Sequence, residues 1–213
     1  MLVAMLSAIS VVALWPRELP ASIEDQRARL PAPAQPAQCA DPVAGTWQAH
    51  VYYARLHDWY RYELRIVRVG NQLSGTIWLR GWNGTVQETE PPACRPGLRD
   101  AEWSEVASGV VQEDGKTLQF NAQSFRVERE HCGHAGGDYA LDRFAGTIDP
   151  ARQEFVSVNT YTFSNGETFS DPTLFRRTAC PGPVETQRPT VVVVPSPEVR
   201  VAPQRRRMFS CSR

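Results

Sequence analysis

The stretch YRYELRIVRV (Tyr60–Val69), followed by Gly70-Asn71 and then LSGTIWLR (Leu73–Arg80), decides the fold. Tyr60, Tyr62, Leu64 and Ile66 alternate with Arg61, Glu63 and Arg65. An extended chain sends successive side chains to opposite faces, so this period of two reads as a strand apolar on one side and wet on the other. Gly-Asn suits the tight turn of a hairpin, and the apolar run after it returns antiparallel.

The same grammar extends in both directions. Asp114-Gly115 marks a hairpin between Trp103–Gln112 and Thr117–Glu130, and Asp149-Pro150-Ala151-Arg152 another between Tyr139–Ile148 and Glu154–Phe163. Asn165-Gly166 leads to a last strand at about Thr168–Thr178, and Thr46–Arg55 comes first, which brings the count to eight. Helical periodicity is nearly absent from this region. Eight strands in a meander either close or stack as a sandwich, and closure removes exposed edges. The expected fold is therefore all-β, an eight-stranded antiparallel up-and-down barrel with disordered N- and C-terminal extensions. LSGTI (Leu73–Ile77) and FAGTI (Phe144–Ile148) look alike, as repeated barrel strands do.

Proline and charge delimit the unit. Six of the 17 prolines fall between Pro16 and Pro42 and six between Pro181 and Pro203, so residues 41–180 are expected to form the barrel domain. The zero net charge is a cancellation: 14 basic and 18 acidic residues lie in 41–180, against six Arg and two Glu in 181–213. No whole-chain argument for nucleic-acid binding survives that balance. The Pro/Arg-rich tail, with Arg205-Arg206-Arg207, reads as a solvated flexible segment.

Residues 1–15 (MLVAMLSAISVVALW) are apolar and uncharged, a length that suits a signal peptide or membrane anchor better than a full bilayer span. Any membrane contact is expected through this segment alone. Residues 16–40 read as a Pro-rich linker, with SIEDQRARL (22–30) as a short helix capped by Ser22. The expected location is secreted, periplasmic or envelope-anchored.

Gly45-Thr46-Trp47 at the start of the first strand, with Arg176 and Arg177 at the end of the last, resembles the signature of the calycins, the lipocalin and avidin-type barrels. That resemblance implies a lipocalin-like barrel in which a basic residue from the last strand packs across the tryptophan at the closed end. It speaks to fold more than to function.

Strand parity sorts the cysteines. An even meander returns its two ends to one side, so Cys39 and Cys180 are expected to pair at the closed end. Cys94 and Cys132 lie in connections at the opposite rim and are expected to form the second bridge. Two disulfides suit an exported protein, and Cys211 is left over in the tail.

The same parity gathers His57 and Trp59 from the first connection, Trp82 from the third, and His131 and His134 from the fifth at the open rim. With Tyr53 and Tyr62 beneath them, these are the candidate ligand-binding residues, above inward positions Val51, Leu64, Ile77 and Leu79. His131-Cys132-x-His134 has a spacing that suits a metal, but Cys132 reads first as half of a disulfide, and no metal site is assigned. No Ser–His–Asp order, phosphate loop or cofactor motif is recognisable, and the acids read as scattered over outward faces. The expected function is non-catalytic binding of a small apolar ligand at the open end, with no cofactor. The alternative is an interaction or inhibitor module that engages an envelope protein through its rim loops or basic tail. An empty interior beyond roughly 300 Å³ favours the first, and a filled one the second.

Overall fold

The computed structural model describes residues 22–132 and 139–181. The apolar N-terminal segment, His134 and the Arg-rich tail lie outside the described residues. Eight strands run in chain order: β1 (Gly45–Tyr53), β2 (Asp58–Val69), β3 (Gln72–Asn83), β4 (Asp100–Val111), β5 (Thr117–Cys132), β6 (Arg143–Asp149), β7 (Glu154–Thr162) and β8 (Thr168–Ala179). Each pairs antiparallel with the next, and β1 pairs with β8, so the sheet is a closed up-and-down barrel. The expected fold class is the one observed. The strand order is compatible with a lipocalin-like fold.

Alternation sets which face of each strand is buried. On β2, Tyr62, Leu64 and Ile66 pack into the core with Ile77 and Leu79 of β3, while Arg65 and Val67 are exposed. The look-alike glycines have a shared role. A Cβ at Gly75 would lie 1.8 Å from the Arg65 carbonyl oxygen, and one at Gly146 would lie 2.0 Å from that of Val156. Only glycine lets neighbouring strands approach so closely.

The interior divides into a filled half and a hollow half. A chain of rings fills the closed end: Trp47 to Phe155 (6.4 Å between centroids), Phe155 to Phe175 (5.8 Å), then Phe175 to Phe144 (4.8 Å) and Tyr62 (6.0 Å). At the bottom the Arg177 guanidinium lies 5.1 Å over the Trp47 ring. It donates to Gln153 Oε1 (2.6 Å), the Asp41 carbonyl (2.6 Å) and the Ala44 carbonyl (3.1 Å). Gly45 has φ +138°, and a Cβ there would stand 2.5 Å from the Ala179 carbonyl oxygen, so this seam requires glycine. Arg176 points elsewhere, donating to Glu154 at 2.8 Å.

Both disulfides join the pairs expected from parity, Cys39 with Cys180 and Cys94 with Cys132. Such bridges are typical of extracellular proteins.

The short helix expected within the linker, capped by Ser22, is present and packs against the barrel. Ser22 caps α1 (Ile23–Arg29) in a reciprocal box with Asp25. The buried Gln26 side chain donates to the Pro172 carbonyl (2.9 Å) and accepts from the Leu174 N–H (2.8 Å), so one amide docks the helix on β8. Arg27 and Arg176 both reach the buried Glu154 carboxylate, and the Ala34 N–H donates to the Arg177 carbonyl. Proline prevents this segment from forming a strand of its own, but side chains and single backbone bonds still fasten it to the barrel.

Candidate functional site

The hollow half opens at the end where β1 meets β2, β3 meets β4, and β7 meets β8. It holds a cavity of about 180 Å³. Tyr53 from β1, Tyr60 and Tyr62 from β2, Trp103 from β4, Tyr161 from β7, and Tyr139 before β6 form its aromatic wall. Tyr53 and Tyr161 stack at 5.7 Å, Tyr60 and Tyr62 at 5.7 Å, and Trp103 and Tyr139 at 5.1 Å. Around the mouth, Arg99 donates to both oxygens of Asp58 at 3.2 and 3.3 Å.

A buried polar network borders the cavity. The Asp142 carboxylate, 3% exposed, accepts from the Tyr62 hydroxyl (3.2 Å), the Tyr139 hydroxyl (2.5 Å) and Asn159 Nδ2 (2.5 Å). Asn159 also donates to the Tyr53 hydroxyl (3.0 Å), which meets Thr173 Oγ1 at 3.0 Å. Glu105 Oε1 accepts from the Asp142 N–H at 3.5 Å. Glu105 Oε2 and Trp103 Nε1 have no hydrogen-bond partner among the described residues.

Burial, and next the Asp142 charge, push the Glu105 carboxyl far up, so it keeps its proton through neutral pH. Burial also raises Asp142, but less far, because the hydrogen bonds from Tyr139, Asn159 and Tyr62 favour its ionised form. The pair therefore carries one negative charge at neutral pH. Neither acid forms an ion pair with a cationic side chain among the described residues.

The acids are thus not all outward, which corrects that expectation. Glu105 shares the inner face of β4 with Trp103 and Ala107, two residues away on either side. The period-two rule carried that signal, but an acid at an inward position reads as an interruption rather than as a site.

The sequence candidates separate. Tyr53 and Tyr62 stand on the cavity wall, above Val51, Leu64, Ile77 and Leu79 in the packed core. Trp59 does not join them, because it alternates with Tyr60 and Tyr62 and must face the other way. It lies outside the barrel wall under the β3–β4 connection, with Nε1 donating to the Thr85 carbonyl (2.9 Å) and Arg29 5.0 Å over the ring. Trp82 borders the cavity, yet its ring stacks on Trp59 and its Nε1 donates to the Glu88 carbonyl. His50 packs against both indoles, and burial lowers its pKa to about 4.

His57, at φ +55° in the β1–β2 turn, approaches the Tyr52 hydroxyl at 3.3 Å rather than the cavity. His131 pairs with Glu102 at 2.8 Å across β4 and β5, and its neighbour Cys132 is taken by Cys94. Gly45, Trp47 and Arg177 meet at the closed end, as the resemblance implies, whereas Arg176 lies beside Glu154. Sequence reasoning missed Tyr60, Trp103, Tyr139, Asp142 and Tyr161 as wall residues. Inward alternation on β2, β4 and β7 marks Tyr60, Trp103 and Tyr161, but nothing local marks Tyr139 or Asp142, which lie in a connection.

No family model matches the chain, and neither the curated proteins nor the solved structures give a match.

Proposed function

We propose that this barrel is an exported binding module that takes a small molecule into its open end without chemically transforming it. The observation that carries the reading is the division of the interior. Side chains pack the closed half, while the open half keeps a cavity of about 180 Å³ walled by aromatic rings. That volume is below the roughly 300 Å³ at which drug-sized ligand sites begin. It is close to the roughly 150 Å³ of an apolar cavity that accepts benzene. The ligand is correspondingly compact, a single ring or a short branched chain. Two disulfides support export.

Native mass spectrometry of protein recovered from its own envelope fraction tests the reading. An added small mass is expected, lost on denaturation and absent from Ala140→Phe, which places a ring at the cavity wall. Protein that retains no mass, and takes up none of benzene, phenol, choline or 3,3-dimethylbutan-1-ol at millimolar concentration, would refute it.

One feature favours a second reading, an interaction module. Among the described residues β5 pairs with β6 over Thr117–Asn121, and Gln123–Arg129 beyond it are exposed. An exposed stretch of strand suits the addition of a partner's strand. That reading predicts that an envelope protein copurifies with the wild type and is released by Phe125→Lys combined with Val127→Lys.

A further inference from the structure

Taking the open end as a binding site, we infer that its ligand is a small organic cation, an alkylammonium group held against tyrosine faces beside the Asp142 carboxylate.

Charge is the first ground. Asp142 borders the cavity and is almost wholly buried, and its hydrogen bonds come only from the neutral donors Tyr62, Tyr139 and Asn159. A buried carboxylate without a counter-charge is costly, and a cationic guest supplies what the fold omits. At the same end, Arg99 is taken up by Asp58 at the mouth. An anionic guest would meet Asp142 unshielded, and a neutral apolar guest would leave its charge uncompensated.

The walls are the second ground. Aromatic faces attract cations through their ring quadrupoles. Several of these rings are further enriched, because their hydroxyls donate to carboxylates: Tyr62 and Tyr139 to Asp142, Tyr60 to Asp58 (3.4 Å) and Tyr161 to Asp171 (2.8 Å). A phenol that gives its proton toward an anion carries more negative charge on its face. Size agrees as well: the volume admits a trimethylammonium head with a short stem.

The experiment compares choline with 3,3-dimethylbutan-1-ol, which has the same shape with carbon in place of the charged nitrogen, by calorimetry on the full chain. Choline is expected to bind at least tenfold more tightly at pH 7.5. That advantage narrows towards pH 5 as Asp142 takes up a proton, while the alcohol is unaffected. The groups facing Asp142 are Tyr53 from β1, Tyr60 and Tyr62 from β2, Glu105 from β4, Asn159 and Tyr161 from β7, and Tyr139. Of these, Glu105 and the tyrosines have raised pKa values and stay protonated over this range. Asp58 with Arg99, and Asp171, lie at the same end, and Asp142→Asn separates their contribution from that of Asp142.

In Asp142→Asn the choline advantage is expected to vanish, with alcohol affinity within threefold of wild type. Should that variant not fold, the wild-type ratio at pH 7.5 decides alone. Alcohol binding as tight as choline overturns the inference and leaves the binding site standing. A choline advantage that survives in Asp142→Asn also overturns it. If neither probe binds, and benzene and phenol do not bind, both readings fall.

Discussion

Glu105→Gln isolates the energetic consequence of burying a carboxyl inside the barrel. The folded state holds the Glu105 proton through neutral pH, whereas the unfolded chain releases it near its ordinary value of 4.5. Above that pH the folded state binds one more proton than the unfolded state, so stability falls as pH rises, by about 1.36 kcal/mol per unit. Between pH 4.5 and pH 7 the loss amounts to about 3 kcal/mol, a large share of the 5–15 kcal/mol typical of a domain. Glutamine has nearly the same shape and no proton to exchange. Its extra N–H group, placed where Oε2 has no partner among the described residues, adds a fixed cost of about 1 kcal/mol that does not vary with pH. The stability of the variant minus that of wild type should therefore rise by about 3 kcal/mol from pH 4 to pH 7. Urea unfolding followed by tryptophan fluorescence, with disulfides intact and ionic strength fixed, measures this at each pH. With a slope near 2 kcal/mol per molar urea, the midpoints should separate by about 1.5 M over that range. A difference that stays constant within about 0.5 kcal/mol from pH 4 to pH 7 would refute the protonated, buried Glu105.

Arg177→Ala strips the closed end of three hydrogen bonds and the cover over Trp47, and should cost about 3–5 kcal/mol in urea unfolding. Arg177→Lys should recover less than half, since an ammonium cannot reproduce the planar fork; full rescue would show that charge alone matters there. Gly146→Ala sets a methyl 2.0 Å from the Val156 carbonyl oxygen, so a thermal midpoint unchanged from wild type would contradict the close approach of β6 and β7. Gln26→Ala removes both bonds to β8 and should cost about 1–3 kcal/mol, with faster tryptic cleavage after Arg27 and Arg29; unchanged cleavage would mean the helix is held by other contacts.

Much of the barrel was legible because its signals are local. Tyr60–Ile66 announces both a strand and its inner face, and Gly70, Asp114-Gly115 and Asn165-Gly166 announce the turns. Strand ends were less legible where long-range partners set them. β4 begins at Asp100 rather than Trp103 and β5 runs to Cys132, because the Cys94 bridge draws the β3–β4 connection against β5. β6 begins at Arg143 rather than Tyr139, since Tyr139–Asp142 leaves the ladder and brings Asp142 to the cavity. The site was half legible for the same reason. Tyr53 and Tyr62 follow from alternation, whereas Trp59 was expected at the rim although the same alternation turns it to the outer face. Asp142 does not, because only three partners distant in sequence or outside any strand make an inward carboxylate tolerable there.

The Cys39–Cys180 bridge sits where β1 and β8 complete the sheet, so the path along the backbone from residue 39 to residue 180 is covalently a ring. A protease that cuts any one connection between strands therefore liberates no fragment. It opens the ring into a circular permutant whose strands keep every neighbour, and between Cys94 and Cys132 a second bridge spans the cut as well. The rim loops around the cavity are thus free to vary or be nicked without the barrel coming apart.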